Sequence, residues 1–133
     1  MASELSAVRN GTYLGECFVH CNEEVSVSPT EVRYDLTSPA PDPSNPDVHA
    51  SELFPSARWA AIADAAGSAA LDELPSAIGH VDTADAGGEF IEVIGNGDVK
   101  RVDFGLGADV PQASPLLGLL RGLRSELASR HRP

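Results

Sequence analysis

The chain has 133 residues, a mass of 13.9 kDa and a formal net charge of −11. This length predicts a single domain over residues 1–133, with enough buried apolar surface to fold without a structural metal or a disulfide framework. The 20 acidic side chains repel a polyanion, so the composition excludes a simple basic domain that binds nucleic-acid phosphates.

Three strands are predicted at the start of the chain. Residues 5–14 form the first strand, residues 16–27 the second and residues 31–36 the third. The third strand alternates cleanly between apolar and charged side chains, a pattern typical of a half-buried strand.

Two cysteines, Cys17 and Cys21, are the only ones in the chain. In a cytosolic protein we expect free thiols, whereas in an exported protein they could pair locally. On one straight strand their Cα atoms would lie about 13 Å apart, so a disulfide requires a turn or a bulge. A zinc site with His20 is a weaker alternative, because the spacing is not Cys-x2-Cys and alternation places His20 on the opposite face. A nucleophilic cysteine with a histidine base is another alternative, without supporting motifs nearby.

Four prolines predict an irregular connection over residues 37–50, with its Pro-rich part at 39–48. A helix then starts near Pro55, and we expect it to end at Gly67. Its predicted buried face consists of Trp59, Ile62, Ala63 and Ala66. A further short helical turn is expected between Ala69 and Leu74.

A β-hairpin is the best-defined element of the sequence. Glu89–Ile94 and Val99–Phe104 flank Asn96-Gly97, the strongest short signal for a type I′ turn. The resulting register places Ile94 opposite Val99, Ile91 opposite Val102, and Glu92 opposite Arg101 as an ion pair.

The final predicted element is a helix that begins with Ser114 as its cap and Pro115 at its first position. Its apolar stripe comprises Leu116, Leu119, Leu120, Leu123 and Leu127. Four arginines lie in residues 121–133, and we attribute them to the favourable position of cations near a helix C-terminus. Residues 129–133 are expected to form a flexible tail.

The order of elements is β-β-β-α-β-β-α, which favours an α+β fold. We expect two layers: an antiparallel sheet of four to five strands, with two helices on one face. The loop at residues 79–88 is polar and contains His80, Asp82 and Asp85 beside a glycine pair. Its ligand spacing does not match a calcium-binding EF-hand, so we expect neither a metal nor a cofactor there.

The whole pattern resembles a group of small bacterial domains that includes emfourin, a proteinaceous inhibitor of the thermolysin-like metalloprotease protealysin. The resemblance covers residues 11–128 and rests on five segments: Gly15–Cys21, the helix around Trp59, Asp85–Glu92, Val99–Phe104 and Pro115–Leu117. It implies a non-enzymatic protein that binds a metalloprotease. Loops 39–48 and 79–88 are the predicted contact regions, with His80, Asp82 and Asp85 as the partner-binding residues.

Two other functions remain open. An acidic decoy that mimics nucleic acid requires rows of carboxylates on one surface. A small enzyme requires a concave site with convergent polar groups. For the favoured hypothesis we expect a protein partner, no nucleic-acid or membrane partner, and a cytoplasmic location, because no leader or apolar span is visible. The sequence leaves the oligomeric state open.

Overall fold

A computed structural model describes residues 5–79 and 87–133. Within these ranges the fold is α+β, as predicted. The strands are β1 (Leu5–Tyr13), β2 (Asn22–Val27), β3 (Glu31–Thr37), β4 (Val48–Leu53), β5 (Ala77–Ile78), β6 (Gly88–Gly95) and β7 (Asp98–Phe104). The helices are α1 (Ser56–Ala69) and α2 (Ser114–His131), with short 3-10 turns at Leu71–Glu73 and Pro111–Ala113.

The seven strands form one sheet in the order β4-β3-β2-β1-β6-β7-β5. All neighbours are antiparallel except β5, which lies parallel to β7. The predicted sheet of four to five strands is therefore too small, and the expectation that all its strands run antiparallel is wrong for β5. Strand β4 begins inside the segment that we assigned to a loop, and β5 has only two residues, too few to produce a recognisable alternation.

The hairpin of β6 and β7 has the predicted register. Ile94 pairs with Val99, Ile91 with Val102 and Glu92 with Arg101. The opposite charges predicted across this hairpin do face and attract each other, but each side chain forms its hydrogen bonds with a different partner. Glu92 binds Arg9 of β1, its cross-strand neighbour on the other side, and Arg101 binds Asp103 on its own strand.

Both helices pack on the same face of the sheet and share its apolar core. In α1 the predicted residues Ile62, Ala63 and Ala66 are buried, and Trp59 packs against the core. The predicted end at Gly67 is wrong, because α1 continues through Ala69. Ala70 closes it in the left-handed conformation that a glycine usually adopts, with φ of 50°.

Helix α2 differs from its prediction at both ends and on its buried face. Ser114 is the first helical residue rather than a cap, and its side chain makes no cap hydrogen bond. Leu117 is buried with the predicted leucines, whereas Leu119 is 43% exposed. Helix α2 ends at His131, so three residues of the predicted flexible tail, 129–131, are helical.

The arginines of α2, and Arg132 just after it, neutralise carboxylates on the sheet. Arg121 and Arg124 both bind Glu89 of β6, and Arg130 binds Glu52 of β4. Arg132 binds Glu23 of β2. The basic end of the sequence thus pairs with acidic strands, which explains the uneven distribution of charge along the chain. Neither described helix is long and apolar enough to cross a membrane.

Candidate functional site

Several connections of the sheet meet at one end, which we call the loop end. It contains the β1–β2 connection, residues 14–21, and the β3–β4 connection, residues 38–47. Because β1, β2, β3 and β4 are successive antiparallel neighbours, these two connections necessarily lie at the same end of the sheet. Gly88 of β6 pairs with Tyr13, so β6 also starts there.

A disulfide between Cys17 and Cys21 closes the β1–β2 connection, with 5.7 Å between the two Cα atoms. This segment is not the extended strand that we predicted, because β2 begins only at Asn22. His20 turns the chain with a positive φ of 51°. The Leu14 amide donates to the Cys21 carbonyl at 3.0 Å, which fixes the base of the loop.

Hydrogen bonds hold this disulfide loop against the Pro-rich connection. The His20 amide donates to Ser38 Oγ at 2.9 Å, and His20 Nε2 lies 3.1 Å from the Pro46 carbonyl oxygen. The Ser38 amide donates to Asp47 Oδ1 at 3.0 Å. The two connections therefore form one continuous surface.

The Pro-rich connection also has internal order. The Asp42 carboxylate accepts from the Ser44 amide at 3.0 Å, and the Asp42 carbonyl accepts from the Asn45 amide at 3.0 Å. This is an Asx-type turn, which fixes the backbone locally without a helix or a strand. The connection's own hydrogen bonds therefore fix its shape locally.

An apolar side chain protrudes from this ordered surface. Phe18, inside the disulfide loop, is 91% exposed, and its neighbours Leu14 and Val19 are 45% and 37% exposed. Exposing an aromatic ring of this size forgoes about 2 kcal/mol of burial. Exposed aromatic groups on a preorganised loop are typical anchors for a protein partner.

The residues predicted as partner contacts, His80, Asp82 and Asp85, lie outside the described residues. Their segment re-enters the described chain at Gly87, which packs against Tyr13 at the loop end. A Cβ at Gly87 would lie 2.2 Å from the Tyr13 carbonyl oxygen, and its φ is +67°, so only glycine fits. The other predicted contact region, 39–48, is described and forms part of the loop end.

The chemistry weighed for Cys17 and Cys21 is not available in this structure. Their disulfide leaves neither a thiolate nucleophile nor a thiolate metal ligand. Among the described residues, no group of three His, Cys, Asp or Glu side chains could hold a metal ion. Two described histidine–carboxylate pairs, Asp35–His49 and Glu52–His131, have the 2.6 Å separation of a general-base dyad. The first is solvent-exposed on the face of the sheet opposite the helices, and Arg130 already binds the carboxylate of the second.

A second polar cluster lies on that opposite face. Phe90 is 3% exposed there, with the guanidinium groups of Arg101 and Arg9 at 3.9 and 5.5 Å from its ring centre. Arg9 also bridges Glu24 and Glu92. Because these charged groups satisfy one another, we assign the cluster a structural role: it shields the aromatic ring from solvent.

No family model matches the chain, and no curated protein matches it significantly. Sequence reasoning missed Phe18 as a candidate contact because residues 16–27 were assigned to a strand. The available signal was the two cysteines at a spacing that requires a turn, with apolar residues between them.

Proposed function

We propose that this chain is a non-enzymatic binding protein that inhibits a thermolysin-like metalloprotease through its loop end. The single observation that carries the proposal is the disulfide loop, which holds Phe18 at 91% exposure on a surface fixed by hydrogen bonds. The resemblance to emfourin-related domains supplies the class of partner.

A fixed loop suits an inhibitor for a physical reason. Binding orders flexible segments at a cost of about 0.5–1.5 kcal/mol for each immobilised side chain, and a preformed loop avoids much of that loss. Phe18 would enter an apolar pocket of the protease cleft. The carboxylates of Asp42 and Asp47, in the neighbouring connection, would face a basic rim of the cleft or the active-site zinc.

The disulfide provides information about the cellular compartment of the protein. Disulfides persist in oxidising compartments and are rare in the cytosol. The predicted cytoplasmic location requires Cys17 and Cys21 to be reduced, whereas the disulfide-closed loop of the proposal fits an oxidising compartment. Mass measurement of the protein purified under thiol-blocking conditions distinguishes the two states.

The arrangement of acidic groups favours a binding protein over a nucleic-acid decoy. A decoy needs free carboxylates in rows. Eight of the 17 carboxylates in the described ranges form ion pairs with arginine or histidine, which reduces the number available for such a row: Glu23, Glu24, Asp35, Glu52, Glu89, Glu92, Asp103 and Glu126.

Titration of a thermolysin-like protease with this protein tests the proposal. We expect residual peptidase activity to fall linearly to a low plateau at one inhibitor chain per protease. The same titration with an unrelated serine protease controls for trapping by aggregates. Full protease activity at a micromolar excess of the protein would refute the proposed partner class.

A further inference from the structure

Strand β4 forms one edge of the sheet, and among the described residues no strand lies outside it. Its pairing with β3 is regular over Val48–Leu53, without a bulge. Natural sheets usually protect such an edge with lysine, proline, a bulge or a covering segment. β4 contains neither lysine nor proline, and its one carboxylate, Glu52, lies on the helix side of the sheet, where Arg130 and His131 of the same chain bind it.

The hydrogen-bond pattern shows which backbone groups face outwards. The Phe54 amide donates to the Thr30 carbonyl at 2.9 Å, so Phe54 directs its backbone groups towards β3. In an antiparallel pair this orientation alternates along the strand. The amides and carbonyls of His49, Ser51 and Leu53 therefore point away from the sheet.

The side chains along this edge add an apolar group to the free backbone groups. Leu53 is 91% exposed on the face opposite the helices, which it shares with Ser51 and His49. A leucine so exposed at a free edge would be covered by any strand that adds to β4. The edge thus offers both hydrogen-bonding groups and an apolar side chain to a partner strand.

We propose that β4 pairs with β4 of a second copy of this chain, antiparallel and centred on Ser51. The three outward-facing residues are spaced symmetrically about Ser51. A two-fold axis there places Leu53 against His49 of the second copy, and each outward amide against an outward carbonyl. The two sheets join into one of 14 strands, since each copy contributes seven.

The two neighbouring registers are less favourable because each places a carboxylate opposite an unsuitable side chain. A shift by one residue pair towards the end of β4 places Glu52 directly opposite Glu52 of the second copy, and like charges opposite each other destabilise a sheet. A shift in the other direction places Leu53 opposite Asp47 of the second copy. The register centred on Ser51 instead sets Glu52 opposite Ala50 of the second copy.

The dimer leaves the loop end free. Because the two copies run in opposite directions, their disulfide loops lie at opposite ends of the joined sheet. Each copy can then bind a protease independently, so the proposal does not depend on the inhibitory function. Because the contact involves only one six-residue strand of each copy, and because the net charge of −11 on each copy opposes it, we expect the dimer to dissociate on dilution.

Sedimentation equilibrium at physiological ionic strength tests the pairing. We expect the mass to rise from 13.9 kDa towards twice that value as the concentration increases from about 10 µM to about 1 mM. Ser51→Pro removes an outward amide that the folded chain does not use, and should remain monomeric throughout. Ser51→Ala, the matched control that keeps the amide, should dimerise like the wild type. Circular dichroism verifies that each variant is folded.

A cross-linking experiment tests the register independently of Ser51→Pro. Directly opposite residues in a hydrogen-bonded pair have Cα atoms about 5.5 Å apart, within disulfide range. Ser51→Cys should therefore form an intermolecular disulfide under mild oxidation, and Ala50→Cys should not. Three results would each overturn the proposal. The first is a wild-type mass that stays at 13.9 kDa at the highest concentration. The others are dimerisation of Ser51→Pro, and cross-linking of Ala50→Cys without cross-linking of Ser51→Cys.

Discussion

Glu89 is the residue on which the contact between α2 and the sheet depends most strongly. Its side chain is 1% exposed and accepts hydrogen bonds from Arg121 at 2.6 Å and from Asn10 at 3.0 Å, while Arg124 lies at 3.3 Å. The sequence correctly predicted a strand at Glu89. It did not reveal these partners, because they lie 32, 79 and 35 residues away along the chain.

Glu89→Gln should lower the free energy of unfolding by about 2 kcal/mol, because it removes the buried carboxylate that Arg121 and Arg124 bind from their partly buried positions. Urea denaturation at pH 7 measures this loss. Glu126→Gln is the matched control: Glu126 binds Arg58 and Arg130 at the surface, so its loss should cost at most about 1 kcal/mol. Equal losses in the two variants would contradict the role assigned to Glu89.

The same residue predicts a pH dependence. Burial favours the neutral acid, but the hydrogen bonds from Arg121 and Asn10 outweigh it and hold the pKa of Glu89 below its ordinary value of 4.5. Since the folded-state pKa is depressed, this stabilisation is fully present above about pH 4.5 and is lost as the pH falls through the folded-state pKa. The unfolding free energy of Glu89→Gln should therefore fall less steeply below pH 4.5 than that of the wild type. Parallel slopes in acid denaturation would show that Glu89 is not responsible.

At the scale of elements, the sequence predicted structures that depend on a few adjacent residues, but not strands that depend on pairing with a distant segment. The β6–β7 hairpin follows from Asn96-Gly97 alone, since both residues adopt the positive φ of the predicted turn, 54° and 78°. Strand β4 carries only weak alternation and is ordered by its pairing with β3, which the sequence does not show. A local disulfide at Cys17 and Cys21 was one of the alternatives left open, but residues 16–27 were assigned to a strand because the alternation of Cys17, Val19 and Cys21 also fits one.

Two glycine substitutions should have opposite effects. Gly97→Ala forces a side chain into a backbone with φ of +78° and should destabilise the protein by about 1 kcal/mol, although space is open around it. Gly118→Ala in α2 also meets open space, but in a helix, where alanine is favoured by about 0.5–1 kcal/mol. Thermal unfolding measures both changes. A rise in melting temperature for Gly97→Ala would contradict the turn geometry.

At the scale of the whole molecule, two helices pack on one face of the sheet, and arginines at the end of the chain pair with carboxylates on the strands. Apolar periodicity predicted the α+β class and the two helices. The position of the free edge could not be predicted, because it depends on how distant segments pack. The exposure of Phe18 follows from the local disulfide loop, for which the cysteine spacing was the available signal. The helices cover one face of the sheet and leave the loop end uncovered. There the disulfide and the hydrogen bond from His20 to Ser38 hold the loop that exposes Phe18.

Comparison of two alanine variants in the protease titration tests the central claim most directly. Phe18→Ala removes the proposed anchor. Val99→Ala removes an apolar side chain that is 61% exposed in the hairpin at the opposite end of the sheet. Because central aromatic anchors contribute about 2 kcal/mol or more, we expect the inhibition constant of Phe18→Ala to rise by about 30-fold or more, and that of Val99→Ala to stay unchanged. Undiminished inhibition by Phe18→Ala, with the fold verified by circular dichroism, would contradict the assignment of the loop end as the inhibitory surface.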